Sequence, residues 1–78
     1  MVNWRGLSPQ ARAILRWIAL PISLGHSHRE IAERFNLYRP KIEDLPLPKA
    51  VSEAWIGSQM RLLRREIEAA GEATEHVA

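Results

Sequence analysis

Four residues with side chains suited to reading nucleic-acid bases lie close together in this sequence, at Tyr38, Arg39, Lys41 and Glu43. The Arg39 guanidinium can donate two parallel hydrogen bonds to a guanine, Lys41 can reach a guanine or a phosphate, and Glu43 can accept from a cytosine amine. Tyr38 can bond a phosphate or lie against a thymine methyl group. Glu43 is followed by Asp44, and two adjacent acids repel phosphate unless each finds a donor. The residue types therefore predict a short base-contacting segment. The two adjacent acids count against that prediction.

The surrounding segment, residues 28–45, has the apolar spacing of a helix-turn-helix motif. We predict one helix over about 28–35, a turn in which Asn36 takes the left-handed conformation that asparagine tolerates, and a second helix over about 39–45. In such a motif the first helix crosses the DNA backbone and the second enters the major groove. The inward-facing residues would be Ile31, Ala32, Phe35, Leu37, Ile42 and Leu45.

Phosphate contacts are expected where the first helix of this motif begins. Ser27 and Glu30 have the spacing of a capping box, which marks a helix start. Ser27, His28 and Arg29 would lie at its exposed amides, which favour a phosphate. Lys49 is a weaker candidate for the same role.

Two further helices are predicted on either side of the motif. Ser8 and Pro9 are a favourable start for a helix that Pro21 would end or kink near Leu20. A long helix is expected over about 49–70, because the Pro46/Pro48 pair precedes it and Gly71 can end it. The sequence thus predicts an all-α domain of four helices over residues 1–71, with a flexible acidic tail over 72–78.

The apolar residues of the long helix include a heptad-like series, which alternates by four and three. This spacing predicts a homodimer through the helix, although so short a series can also pack inside one domain. We assign the neighbouring arginines to the solvated face, and phosphate or membrane contact is the less favoured interpretation. The seam would consist of Ile56, Met60, Leu63 and Ile67, and the solvated arginines are Arg61, Arg64 and Arg65.

Composition bounds the function further. All 11 lysines and arginines lie in residues 1–65 beside five acids, a net charge of +6, whereas residues 66–78 carry four glutamates and no basic residue. A basic body suits a polyanionic partner, although an ordinary solvated surface has the same composition.

Several classes of protein are disfavoured. The absence of cysteine excludes a disulfide scaffold and fits a cytoplasmic location. The longest apolar stretch, residues 17–24, is too short to cross a bilayer, and the N-terminus does not resemble a signal peptide. We find no metal-ligand spacing, phosphate loop or nucleophile arrangement. An enzyme, a metal, a cofactor and a small-molecule substrate are therefore not expected.

The stretches LSPQARAIL and SHREIAERFNL resemble region 4 of bacterial sigma factors and the helix-turn-helix domains of response regulators. The likeness covers about residues 7–45, half of the chain. It implies a small DNA-binding regulator, of a size common in phages and mobile elements. The sequence departs from the pattern at Asn36, where glycine is usual, and at Pro40 and the Pro46/Pro48 pair, which shorten the recognition helix.

Together these features predict a sequence-specific regulator that occupies an inverted repeat in duplex DNA as a homodimer. Two alternatives stay open: a protein-interaction module with Trp55 and Met60 as its anchor patch, and a DNA-packaging or recombination accessory protein. The base-contacting element is also open, because the start of the long helix, with Leu47, Lys49 and Ser52, could replace residues 39–45 in that role.

Overall fold

The chain folds into three helices in the computed structural model, which describes the backbone of residues 6–77 and the side chains of residues 6–70. No strand occurs in that part of the chain, so the predicted all-α class is confirmed. The predicted count of four helices is wrong. Helix α1 consists of α-helical Pro9–Ile14, π-helical Leu15–Ala19 and α-helical Leu20–Ser23; α2 is His28–Tyr38 and α3 is Glu53–Val77.

Helix α1 starts as predicted but continues past the predicted break. The Ser8 hydroxyl accepts from the Ala11 amide at 3.1 Å, and Pro9 takes the first helical position. Pro21 has no amide hydrogen, and its ring crowds the carbonyl four residues earlier. The helix accommodates it by widening: the Leu20 amide bonds to the Leu15 carbonyl, five residues back. The following loop turns at Gly25, whose φ of +103° favours glycine.

Helix α2 begins at the predicted cap and ends later than predicted. The Ser27 hydroxyl accepts from the Glu30 amide at 3.1 Å. The left-handed residue is Arg39, with φ 46° and ψ 56°, whereas Asn36 is helical. Arg39 precedes Pro40, and a residue in that position is disfavoured in the right-handed helical region. The helix therefore ends at Tyr38, about one helical turn after Phe35, the predicted end.

The predicted helix over 39–45 is absent, and residues 39–52 form an irregular connection. Its apolar residues nevertheless face inward, because Leu45 is buried and Ile42 is half-buried against the core. The amide of Leu45 bonds to the carbonyl of Ile42, which makes a turn there. The spacing thus identified Ile42 and Leu45 correctly as inward-facing, while the backbone conformation assigned to them was wrong. Leu37 was also expected to face inward, but α2 continues through it and its side chain is 73% exposed.

One side chain holds this connection to α2. The Asn36 amide group donates to the Val51 carbonyl at 2.9 Å, and the Val51 amide donates to the Asn36 carbonyl oxygen at 2.7 Å. Both backbone groups of Val51 are thereby satisfied by a residue 15 positions away. Val51 itself is buried. The pair fixes the end of the connection just before α3 begins.

Replacement of Asn36 by alanine is expected to lower the free energy of unfolding by about 1–3 kcal/mol, the cost of leaving partly buried backbone groups without partners. Urea denaturation measures the change. Leu37→Ala is the matched control, because the neighbouring Leu37 is 73% exposed and such changes usually stay within about 0.5 kcal/mol. Equal stability of the two variants would show that the Asn36–Val51 pair contributes nothing.

Helix α3 starts at Glu53 instead of about Lys49, because Val51 is held in the connection and Ser52 forms the cap. The Ser52 hydroxyl accepts from the Trp55 amide at 3.1 Å. The helix also continues past Gly71 to Val77, so the predicted stop at Gly71 is wrong. The backbone of residues 72–77 is helical, and the side chains of the predicted acidic tail lie outside the described residues.

The core lies where the three helices and the connection meet. Its largest fully buried side chains are Ile14, Ile18, Leu45 and Ile56. The Glu66 carboxylate of α3 links this helix to the start of α1, because it accepts from the Ser8 amide at 3.1 Å and from the Ser8 hydroxyl at 2.9 Å. Within the described residues no helix has the length and apolar character needed to span a membrane.

Candidate functional site

The four predicted base-contacting residues do not lie on a helix that could enter a groove. Tyr38 is the last residue of α2, and the other three belong to the irregular connection. Arg39, Lys41 and Glu43 line one shallow pocket, while Tyr38 lines another with Trp17. The Arg39 guanidinium donates to the Lys49 carbonyl at 3.3 Å. The prediction of a reading helix at this place is therefore wrong.

The helix that packs on α2 is α3. The rings of Phe35 and Trp55 meet edge to face, with centroids 6.5 Å apart and planes at 76°. Ala32 and Phe35 share one buried cluster with Val51 and Ile56. The two helices thus form a helix-loop-helix unit whose connection is residues 39–52. The alternative that the start of the long helix contacts the bases stays a prediction, and the residues named for it precede Glu53, where α3 begins.

The residues named for that alternative are only partly suited to it. Ser52 caps α3, Lys49 is exposed, and Leu47 is half-buried against the core. The open face of α3 begins farther along the helix. Its exposed or half-buried residues include a series that alternates by four and three, with Gly57 and Arg64 beside it; the series is Ala54, Ser58, Arg61, Arg65 and Glu68.

A groove between α1 and α3 brings two arginines of α3 and a histidine of α2 together. It measures about 620 Å³ and has an apolar floor to which Leu15, Ala19 and Met60 contribute. His28, the first residue of α2, lines it beside Arg61 and Arg64 of α3. Glu68 is the acid among its lining residues. We call this the His28–Arg61–Arg64 groove.

The sequence predicts a phosphate contact at His28 but places both arginines on the solvated face of the long helix. The spacing of Arg61 and Arg64 indicates that they share a side of one helix. Their proximity to His28 depends on how α3 packs against α1 and α2. No local signal in the sequence provides that information.

The other predicted phosphate contacts are exposed and partly engaged. The Ser27 hydroxyl already caps α2, and Arg29 pairs with Glu33 at 3.2 Å. Both members of that pair are well exposed, and exposed ion pairs stabilise by about 0–1 kcal/mol. Arg29 can therefore exchange Glu33 for a phosphate at little cost. Lys49 lies at the other end of the connection, away from the start of α2 in sequence.

An acid also lies at the start of α2. The pKa of Glu30 is lowered below 4.5, chiefly by a hydrogen bond with His26 and further by the backbone and hydroxyl of Ser27. The His26 Nδ1 and Glu30 Oε2 atoms are 3.2 Å apart. The carboxylate is thus held in its charged form beside the positive end of the helix.

Because folding lowers the Glu30 pKa, the stabilisation by this carboxylate is present above pH 4.5 and is lost as the pH falls through the folded-state pKa. His26→Ala removes the largest cause and is expected to return the Glu30 pKa toward 4.5. NMR titration of the Glu30 carboxyl carbon measures the shift. Identical titration curves for the two proteins would show that His26 does not stabilise the charged carboxylate.

Neither packing nor a positive φ among the described residues requires glycine at position 57. A β-carbon there would meet one atom, Nη1 of Arg61, at an ordinary contact distance of 3.8 Å. Its φ is not positive, in contrast to that of Gly25. Glycine inside a helix costs about 1 kcal/mol relative to alanine. The packing around Gly57 does not explain why this cost is tolerated.

The predicted dimer seam is largely part of this chain's own core. Ile56 is 0% exposed and Leu63 is 2% exposed, so neither side chain is free to meet a second copy. Met60 and Ile67 are half-buried and line the groove. The heptad-like spacing instead reflects the side of α3 that faces α1 and α2, and the seam as predicted is wrong for its two buried members.

The predicted anchor patch is also less open than expected. Trp55 and Met60 are half-buried against the core, and Trp55 packs on Phe35. Large exposed apolar side chains occur elsewhere, on α1, on α2 and in the loop between them. They are Trp17, Leu20, Leu24, Leu37 and Tyr38.

Comparison of the chain with protein-family models, with curated proteins and with solved structures found no match.

Proposed function

We propose that the chain is a sequence-specific regulator that binds duplex DNA through α2 and α3. The open face of α3 enters the major groove, and the start of α2 meets the phosphate backbone. The observation that carries this proposal is the His28–Arg61–Arg64 groove, in which two arginines of α3 and the imidazole of His28 at the start of α2 line one space. In helix-turn-helix proteins the two helices divide phosphate and base contacts in this way.

The shape and chemistry of α3 suit a duplex. The major groove is about 12 Å wide and admits one α-helix. Arg61 and Arg65 lie one turn apart on the exposed face and can donate to guanine or to phosphate. The small side chain of Ala54 and the absence of one at Gly57 make the first turns of that face narrow. The opposite face of the helix is buried through Ile56 and Leu63, so the orientation of α3 is fixed.

The regulatory mechanism that we infer is occupancy, in which the bound protein blocks or recruits polymerase. The likeness of residues 7–45 to sigma region 4 and response-regulator domains supports a role at promoters. The proposed recognition element here is α3, reached through a connection of residues 39–52. In this proposal α3 takes the place of the short recognition helix predicted over residues 39–45.

Selection of bound duplexes from a random DNA library, followed by sequencing, tests the proposal. An enriched motif is expected. Two inverted half-sites about 34–36 Å apart would indicate a homodimer, and a single half-site would indicate a monomer. Binding is expected to weaken steeply with salt. A folded protein that enriches no sequence and binds no duplex at low salt would overturn the proposal.

A protein-interaction module is the second candidate, favoured by the exposed apolar residues. Trp17 and Tyr38 line a groove of about 590 Å³ together with Pro21, Arg34 and Pro40. Such a surface is typical of protein contacts. This candidate predicts partner binding that changes little with salt and survives substitution of Arg61 and Arg64. Loss of partner binding in Trp17→Ala, with duplex binding retained, would assign the two activities to separate faces.

A further inference from the structure

We propose that Gly57 is the point at which the bound duplex comes closest to the backbone of α3. The inference rests on the proposed function and adds a specific contact to it. Gly57 lines the groove with His28 and Arg61. It lies one helical turn after the start of α3, and the first turns of a recognition helix approach the bases most closely.

The described fold does not account for the presence of glycine at position 57. Glycine lowers the stability of a helix relative to alanine. At Gly25 the positive φ accounts for glycine, whereas no positive φ occurs at Gly57. A β-carbon at Gly57 would lie 3.8 Å from Arg61 Nη1, which is an ordinary contact with the end of a flexible side chain. The chain itself therefore has room for alanine.

The groove adjoins the backbone of α3 at Gly57, which lines it together with His28 and Arg61. Among the described residues, the one atom near a β-carbon at Gly57 would be Nη1 of Arg61. A glycine permits close approach of a backbone to a ligand, because no side chain separates them. Arg61 and Arg64 outnumber the one acid among the described residues that line the groove, Glu68, so the groove favours an anionic ligand. The proposed function supplies one in the bound duplex.

The test is Gly57→Ala in the full chain, measured with a duplex selected from the random library. The melting temperature without DNA is expected to rise by about 4–8 °C, since the helix gains a better former. The affinity for the duplex is expected to fall at least tenfold. Gly57→Gln, which is larger and also favours helix, should reduce the affinity further.

Ala69→Gly is the matched control. Ala69 is exposed on the same helix and lies outside the residues that line the groove. This reverse change should lower the melting temperature and leave the affinity unchanged. A rise in stability coupled to a loss of affinity at position 57, with the opposite pattern at position 69, is the expected signature.

The inference is overturned if Gly57→Ala binds the duplex as tightly as the wild-type chain. It is also overturned if Gly57→Ala lowers the melting temperature, because glycine would then be required by the fold. Failure of the proposed function appears differently, as an absence of duplex binding by the wild-type chain itself, and it removes both proposals. The two failures are thus distinguished by the wild-type measurement alone.

Discussion

Replacement of both Arg61 and Arg64 by alanine is expected to weaken duplex binding by about a hundredfold at moderate salt. Each guanidinium would lose one or more charge-assisted hydrogen bonds, worth about 1.5–3 kcal/mol, and every 1.4 kcal/mol is tenfold in affinity. If both arginines contact phosphate, the slope of log affinity against log salt should fall by about 2. Fluorescence anisotropy with a labelled duplex, over a series of salt concentrations, measures both quantities.

The matched control is the pair Arg12→Ala and Arg16→Ala. These arginines carry the same charge and lie on α1, where they line a different pocket with Glu43 and Asp44. Their replacement removes two positive charges without altering the His28–Arg61–Arg64 groove. We expect a small loss of affinity from the weaker overall field. Equal losses in the two double variants would show that net charge, rather than this groove, attracts DNA.

A lysine version separates the two kinds of contact. Arg61→Lys and Arg64→Lys keep the charge but lose the planar fork that matches guanine and phosphate. A phosphate contact should be largely restored by lysine across all sequences, whereas a guanine contact should stay impaired on the selected duplex. Sequencing of duplexes selected by the lysine variant would then show relaxed preference at one position.

The helix starts could be predicted because their signals are local. Ser8 with Pro9, and Ser27 with Glu30, act within one turn, and the structure shows both hydroxyls capping as expected. The inward positions of Ile42 and Leu45 were also predictable, because burial depends on apolar character. Their backbone conformation was not, since the same spacing fits a helix and an irregular connection with turns.

The candidate interface was harder to predict because it depends on contacts between distant residues. Asn36 looked like a turn residue, but its amide group is used by Val51, and this pairing ends the connection and places α3. Pro21 favours the end of a helix, but the π-helical segment before it allows α1 to continue through this residue. The local helix start is enough to predict a phosphate contact at His28. The proximity of Arg61 and Arg64 to His28 depends instead on how α3 packs.

The residue that best separates a core from a dimer seam is Ile56. It is 0% exposed and belongs to one cluster with Ile14, Ile18 and Phe35. Ile56→Ala is expected to lower the free energy of unfolding by about 2–5 kcal/mol, through lost apolar burial and the cavity that remains. A chain this small has a modest stability margin, so a large part of it would be lost.

Protein concentration provides the decisive comparison. A core residue acts within one chain, so the loss in Ile56→Ala should be the same at low and high protein concentration. A seam residue would stabilise by association, and the melting temperature would then rise with concentration in the wild-type chain and less in the variant. Met60→Ala, at a half-buried position one turn later, should cost less than Ile56→Ala. A loss for Ile56→Ala that depends on concentration would restore the dimer seam and contradict the assignment of Ile56 to the core.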